Sequence, residues 1–151
     1  MTAENETVVK FQSRSKNEGF ARVVTAAFAA QLDPTLDELG DIKTAVSEAV
    51  TNSIVHGYAD RIGIITLKLR ILPENVLEIT VRDAGCGIAD VEQVRRPLFT
   101  TGGEERSGMG FTIMESFMNE VRVRSAPGRG TTVRMRKRIV SRGDGACAPK
   151  S

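Results

Sequence analysis

The sequence predicts an α+β domain with helices layered on one face of a mixed β-sheet. Three observations carry that expectation. The first third has apolar residues at helical period, the middle holds two alternating segments joined by a turn, and strand and helix do not alternate regularly. A chain of 151 residues is long enough for one domain with a real core. Hydrophobic residues at 40% and charged residues at 26% argue against wholesale disorder. Residues 1–140 are expected to form this single domain, and the Gly-rich, basic residues 141–151 a flexible tail.

Taken in order, Val8, Val9 and Phe11 suggest a first strand. Ser15 and Glu18 have capping-box spacing and open a helix. Phe20, Val23, Val24, Ala27 and Phe28 recur at helical spacing and should form its buried stripe, with Arg22 on another side. Asp33-Pro34 breaks that helix, and Thr35 with Glu38 offers a second capping box. The next helix should run to about Gly57, a glycine suited to a C-terminal stop. Its apolar side carries Leu36, Leu39, Ile42, Val46, Val50, Ser53 and Ile54. Glu48, Asn52 and His56 step along another side, where Ala45, Ala49 and Val55 flank them as in the wall of a cleft.

Residues 62–72 and 76–82 read as strands around a turn at Pro73-Glu74-Asn75. In the second, Leu77, Ile79 and Val81 alternate with Val76, Glu78, Thr80 and Arg82, so one face should meet a core. This strand delivers the chain to Asp83-Ala84-Gly85-Cys86-Gly87. Residues 90–107 suggest a short helix and then a loop, and residues 108–118 a helix. Val121 and Val123, a turn at Pro127-Gly128, and Thr132, Val133 and Met135 complete the sheet.

Several function classes drop out. Residues 1–10 lack the apolar core of a signal peptide, and the longest mainly apolar run, 23–30, is far short of the ~20 residues a membrane helix needs. Cys86 and Cys147 are the only cysteines, so neither a disulfide framework nor a cysteine metal cluster is expected, and a cytoplasmic location is. A net charge of +2 gives no dominating field. The basic run of Arg134, Arg136, Lys137 and Arg138 could meet nucleic acid, but its alternation with Val133 and Met135 favours a solvated sheet face. No P-loop motif is present, Gly108-Met109-Gly110 lacks the third glycine of a dinucleotide fingerprint, and the lone His56 cannot make a zinc-protease pair.

What remains suits a different nucleotide site. A glycine pair opening a helix presents unpaired N–H groups and a positive dipole end to phosphates. Asp83, ending a strand beside glycines, can accept a hydrogen bond from the amino group of a base. Asn52 could complete the shell of a phosphate-bound Mg²⁺, and Glu48, one turn earlier, could act as general base. Each signal alone is weak; their order and spacing are the stronger evidence.

Residues 48–57, Glu-Ala-Val-Thr-Asn-Ser-Ile-Val-His-Gly, resemble the N box of the ATPase superfamily of gyrase, heat-shock-90 chaperones, histidine kinases and MutL proteins. Asp83-x-Gly85-x-Gly87 resembles its G1 box, Ser107-Gly108-x-Gly110 its G2 box, and Gly130-Thr131 the threonine that helps hold adenine. Phe20-Ala21-Arg22, Gln31-Leu32-Asp33-Pro34, Pro97-Leu98-Phe99-Thr100-Thr101 and residues 105–115 further resemble the sporulation anti-sigma-F factors, over residues 8–137.

That resemblance implies a Bergerat-type ATP fold using ATP/ADP and Mg²⁺. It implies two partners: sigma factor F, held away from RNA polymerase, and an anti-anti-sigma protein phosphorylated on serine. A homodimer is also implied. Carried over by position, Asn52 would bind Mg²⁺, Glu48 would activate the substrate serine, and Asp83 would recognise adenine in a pocket shaped by Gly85 and Gly87. Thr100, Ser107, Gly108, Met109 and Gly110 would attend the phosphates, Thr131 the base, and Arg106 the γ-phosphate. Arg22 is the candidate for partner contact, against the reading of a solvated side chain. Gly102-Gly103-Glu104 departs from the stiffer Lys-Pro stretch of relatives. The alternatives are a histidine-kinase-type catalytic domain and a binding module that ATP switches without phosphoryl transfer.

Overall fold

The chain runs β1 (Asn5–Gln12), α1 (Asn17–Ala29), a 3-10 turn (Ala30–Leu32), α2 (Leu36–Asn52), a π-helical turn (Ser53–Gly57), β2 (Ile64–Leu72), β3 (Val76–Asp83), α3 (Glu105–Phe117), β4 (Glu120–Ala126) and β5 (Gly130–Arg138). The computed structural model describes residues 2–87 and 105–140, with side chains of the second span from residue 110 onward. The strands form one sheet in the order β1-β2-β3-β5-β4. Every described pairing is antiparallel, so the expected α+β class is present but the sheet is not mixed. The reason is connectivity: β2–β3 and β4–β5 are hairpins, and no described crossover returns a strand parallel to its neighbour.

Register makes the two faces of this sheet legible. On the inner face, Thr7, Leu69, Ile79, Met135 and Val121 align across the sheet, and so do Val9, Leu67, Val81, Val133 and Val123. These rows meet Ile42, Ala45, Val46, Ala49 and Val50 of α2 and Phe111, Met114 and Met118 in and just after α3. Leu67, Leu69, Ile79, Met135 and Phe111 have no solvent exposure, and each such side chain contributes on the order of 1.5–3 kcal/mol by leaving water. The next inner row reads Phe11, Ile65, Asp83, Thr131, Ser125. Its apolar character stops at β3, and polar groups occupy the rest.

The outer face is basic and graded. One row is Glu6, Arg70, Glu78, Arg136, Glu120, alternating in charge; the next is Val8, Lys68, Thr80, Arg134, Arg122; the third is Lys10, Thr66, Arg82, Thr132, Arg124. Glu78 is the exception to an exposed face. It is only 3% exposed and lies between Arg70 at 3.1 Å and Arg136 at 2.8 Å.

Helix ends follow local chemistry, with two departures from expectation. Thr35 and Glu38 form the reciprocal capping box, which satisfies two donors at the start of α2. Ser15 and Glu18 do not form one: α1 begins at Asn17, with no side-chain cap. Glu18 instead accepts from the Ser47 hydroxyl of α2 and pairs with Arg22 at 3.0 Å, a tertiary use that outweighs local capping.

The buried face of α1 also differs. Phe20 is 47% and Val23 67% exposed, while Ala21, Thr25 and Ala29 are buried against α2 with Val24 and Phe28 beside the core. Small side chains at i, i+4 and i+8 let the two helices approach closely, and larger ones turn outward. Leu36, expected in the stripe of α2, is 87% exposed because the first turn projects beyond the core.

Candidate functional site

Three structural devices build the site. The first is the end of α2. The helix does not continue to Gly57 with α-helical bonding; at Ser53 it widens into a π-turn, closed by the Tyr58 N–H donating to the Ser53 carbonyl at 2.9 Å. Such turns re-aim side chains at the cost of regular bonding and occur often at functional sites. Here the turn presents Ser53 and Gly57 to the end of β3. The Ser53 hydroxyl donates to Asp83 Oδ2 at 2.8 Å. At Gly57, a Cβ would sit 2.8 Å from the Asp83 carboxylate, so only hydrogen fits there.

The second device is the loop after β3. The Gly85 N–H donates to Asp83 Oδ1 at 2.9 Å, an Asx-type turn in which the side chain holds its own loop. The Cys86 N–H donates to the Gly57 carbonyl at 2.9 Å, and the Cys86 carbonyl accepts from Gly128 N–H at 2.7 Å. The loop is thereby clipped between the end of α2 and the β4–β5 turn. Gly87 has φ +78°, and a Cβ on it would lie 2.0 Å from the Ala126 carbonyl, so glycine is required on both counts. Tyr58 braces the other side: its hydroxyl accepts from Ala84 N–H at 2.7 Å and donates to the Ile64 carbonyl at 2.8 Å. The Cys86 thiol donates to the His56 carbonyl at 2.9 Å.

The third is the approach of α3 to α2. A Cβ built on Gly110 would fall 3.2 Å from Glu48 Oε1, which places the second turn of α3 against that carboxylate. The helix begins at Glu105, so the glycine pair lies within it and does not open it as expected. Glu48, Thr51, Asn52, Val55, His56 and Gly110 line one small cleft. Ala45 and Ala49, at zero exposure, seat this polar row on the core as expected, whereas Val55, the third expected flanking residue, is 39% exposed.

The structure therefore brings together Asp83, Gly85, Gly87 and Thr131 around one end of the sheet, and Glu48, Asn52 and Gly110 in the adjoining cleft. Asp83 and Thr131 are register partners, 5% and 6% exposed. Arg106, Ser107, Gly108 and Met109 lie in the first turns of α3, ahead of the described side chains, and Thr100 with Gly102-Gly103-Glu104 lies outside the described residues. Arg22 stands apart from the cleft, exposed on α1. Ser53, Tyr58 and Ser125 were not predicted as site residues. A hydroxyl within an otherwise apolar helical stripe was the available signal for Ser53; nothing local marked Tyr58 or Ser125, which pair only through the fold.

Asp83 is chemically unusual among the buried groups. It has hydroxyl and amide donors but, among the described residues, no cation at ion-pair distance. Its charge is held by dipoles, which leaves it free to accept from a ligand's N–H. No helix among the described residues is long and apolar enough to cross a membrane.

A helical layer over an antiparallel sheet, with a buried aspartate at a strand end and a glutamate–asparagine helix facing a glycine-containing helix, fits an ATPase domain of the histidine kinase-like class. The family model for the histidine kinase-like ATPase domain matches residues 11–137. An anti-sigma F factor from Caldanaerobacter subterraneus subsp. tengcongensis is 59% identical over 140 residues, covering 92% of this chain and 97% of its own. One from Geobacillus kaustophilus is 59% identical over 137 residues, covering 89% and 93%. The chain belongs to the histidine kinase-like ATPase family and, within it, to the anti-sigma F factors.

Solved structures agree on the fold. The RsbU and RsbW domains of Rv1364c from Mycobacterium tuberculosis match with a TM-score of 0.67 at 20% identity, over 89% of this chain and 32% of that one. Full-length ShkA in complex with AMPPNP matches with a TM-score of 0.58 at 14% identity, over 93% and 33%.

Proposed function

We propose that this anti-sigma factor is an ATP-dependent protein serine kinase that phosphorylates an anti-anti-sigma protein and, in a separate complex, holds sigma factor F from RNA polymerase. It would act in the cytoplasm as a homodimer. The observation that carries the kinase reading is the apposition of Glu48 and Gly110: the second turn of α3 packs against a carboxylate that would take a proton. Phosphoryl transfer asks chiefly for alignment and charge neutralisation; Glu48 would serve the first, and Mg²⁺ with Arg106 the second.

Asn52 shares the cleft with Glu48 and offers an amide oxygen suited to Mg²⁺. Among the described residues no group of three or more His, Cys, Asp or Glu could hold a metal by itself. A Mg²⁺ ion at Asn52 would thus take most of its other oxygens from phosphates and water, and when bound would neutralise phosphate charge. Asp83 and Thr131 would hold the base and Gly85 and Gly87 shape its pocket. Arg106, Thr100, Ser107, Gly108, Met109 and Gly110 are assigned to the phosphates by position in the family pattern. Arg22, held on α1 by Glu18, is the proposed partner contact.

The test is incubation with labelled ATP, Mg²⁺ and a candidate anti-anti-sigma protein, followed by acid treatment of the product. Acid-stable label is the result expected for phosphoserine; acid-labile label, as phosphohistidine gives, overturns the serine assignment. Glu48→Gln should retain ATP binding and lower transfer by about 10²–10⁴-fold, the range for loss of a general base. An unchanged rate in that variant removes Glu48 from its role.

A further inference from the structure

Two serines near the proposed base pocket have described hydrogen bonds that fix how the neighbouring polar groups point. Ser53 has one hydroxyl proton, and it goes to Asp83 Oδ2 at 2.8 Å. Ser125 also has one. Its oxygen lies 2.9 Å from the Gly130 carbonyl and 2.9 Å from Thr131 Oγ1. A carbonyl can only accept, so the proton of Ser125 is committed to Gly130. The donor between Ser125 and Thr131 is then Thr131, whose own proton points back into the sheet.

The consequence lies at the pocket surface. Asp83 is a carboxylate and accepts only; Thr131, with its proton spent, also offers only lone pairs. These two residues are register partners on adjacent strands and are both nearly buried. Their shared edge is therefore an all-acceptor surface. Where both residues meet the 6-substituent of a purine, an amino group with its two N–H donors satisfies them, whereas a carbonyl oxygen there sets acceptor against acceptor at a site with little solvent exposure.

We propose that Ser53 and Ser125, which lie near the contact surface, are specificity-determining residues that select a 6-aminopurine nucleotide over a 6-oxopurine nucleotide. Ser125 sets the polarity of Thr131, and Ser53 holds the Asp83 carboxylate in place. This rests on the reading that Asp83 and Thr131 both face the 6-substituent of the purine.

The experiment is calorimetric titration of the full chain with ATP and with ITP, which carries a carbonyl where ATP carries its 6-amino group. The wild-type protein should favour ATP by about 10²–10³-fold, as a hydrogen-bonding mismatch in a buried site does. Ser125→Ala frees the Thr131 hydroxyl to donate, so the ATP/ITP ratio should fall by about tenfold, mainly through tighter ITP binding. Ser125→Thr retains the hydroxyl and should restore the ratio. Ser53→Ala should weaken ATP by about tenfold through loss of a hydrogen bond to a charged group.

A folded Ser125→Ala protein with the wild-type ratio overturns the inference while leaving the ATP reading intact. Failure of the wild-type protein to bind either nucleotide overturns the ATP reading itself. Should Ser125→Ala not fold, Ser125→Cys, whose thiol is a weak donor, carries the same expectation, and an unchanged ratio there is equally decisive.

Discussion

Glu78 and Asp83 are buried carboxylates on the same strand, 3% and 5% exposed, and they have opposite fates. Odd and even positions of β3 face opposite sides of the sheet, so Glu78 turns to the basic outer face and Asp83 to the helical layer. Glu78 is closed off by two guanidinium groups, at 3.1 Å from Arg70 and 2.8 Å from Arg136. Asp83 receives one hydroxyl and one backbone N–H, with no described cation. The difference shows how a fold separates structural charge from available charge. A carboxylate matched by cations is spent on the sheet, while one matched by dipoles keeps its capacity to accept a ligand's donor.

The widest separation between the two should come from Asp83→Asn. Exchanging an acceptor-only group for an amide that also donates should weaken ATP by about 10³-fold, or about 4 kcal/mol. Global stability to urea should change little. A large loss of stability with unaltered ATP affinity would make Asp83 a structural group like Glu78.

Glu78→Gln should show the reverse pattern. It leaves Arg70 and Arg136 without their shared anion, yet both arginines retain some exposure, at 22% and 25%. The cost should be about 2–3 kcal/mol, below that of breaking a fully buried pair. Nucleotide titration should be unaffected.

Gly57→Ala sharpens the boundary of the site. Its Cβ would meet the Asp83 carboxylate at 2.8 Å, so the carboxylate or the π-turn must shift. ATP affinity should fall by about tenfold, with a stability loss of about 1–2 kcal/mol. An undisturbed affinity would mean that the carboxylate's position is not set by this turn.

The smallest effect belongs to the solvent end of the Glu78 row. The Arg122 hydrogen bond, with the charges of Arg122, Arg136 and Arg134, holds the Glu120 carboxyl below its ordinary value of 4.5 despite some opposing desolvation. A lowered folded-state value means that the stabilisation is present above the ordinary value and is lost as pH falls through the lowered one. Glu120→Gln should remove a small part of the acid-induced stability loss below pH 4.5, and high salt should reduce the difference. Identical acid unfolding curves at low salt would place the ion pair among those contributing nothing.

Much of this was readable along the chain. The Thr35–Glu38 cap, the alternation in β3 and the helical period of Ile42, Val46 and Val50 are local patterns, and each appears in the fold. The polar row of Glu48, Asn52 and His56, seated on Ala45 and Ala49, was likewise visible as a departure from an ordinary solvated face. The errors have a common cause. Glu18 was assigned to its own helix end but binds across to Ser47, and Phe20 and Val23 were assigned to a core that Ala21, Thr25 and Ala29 occupy. In both places, a neighbouring helix changed which local option was favourable.

By itself, the amino-acid sequence determined most of the elements and the family, because periodicity, caps and short motifs act over a few residues. Tertiary structure alone decided that Ser53 would leave an apolar stripe for Asp83, that Gly57 would lie beneath that carboxylate, and that Ser125 would lie against Thr131. Those outcomes depend on strand register and on a π-turn at one helix end. Both are set by packing between segments far apart in the chain, where no local pattern records the proton each hydroxyl will give.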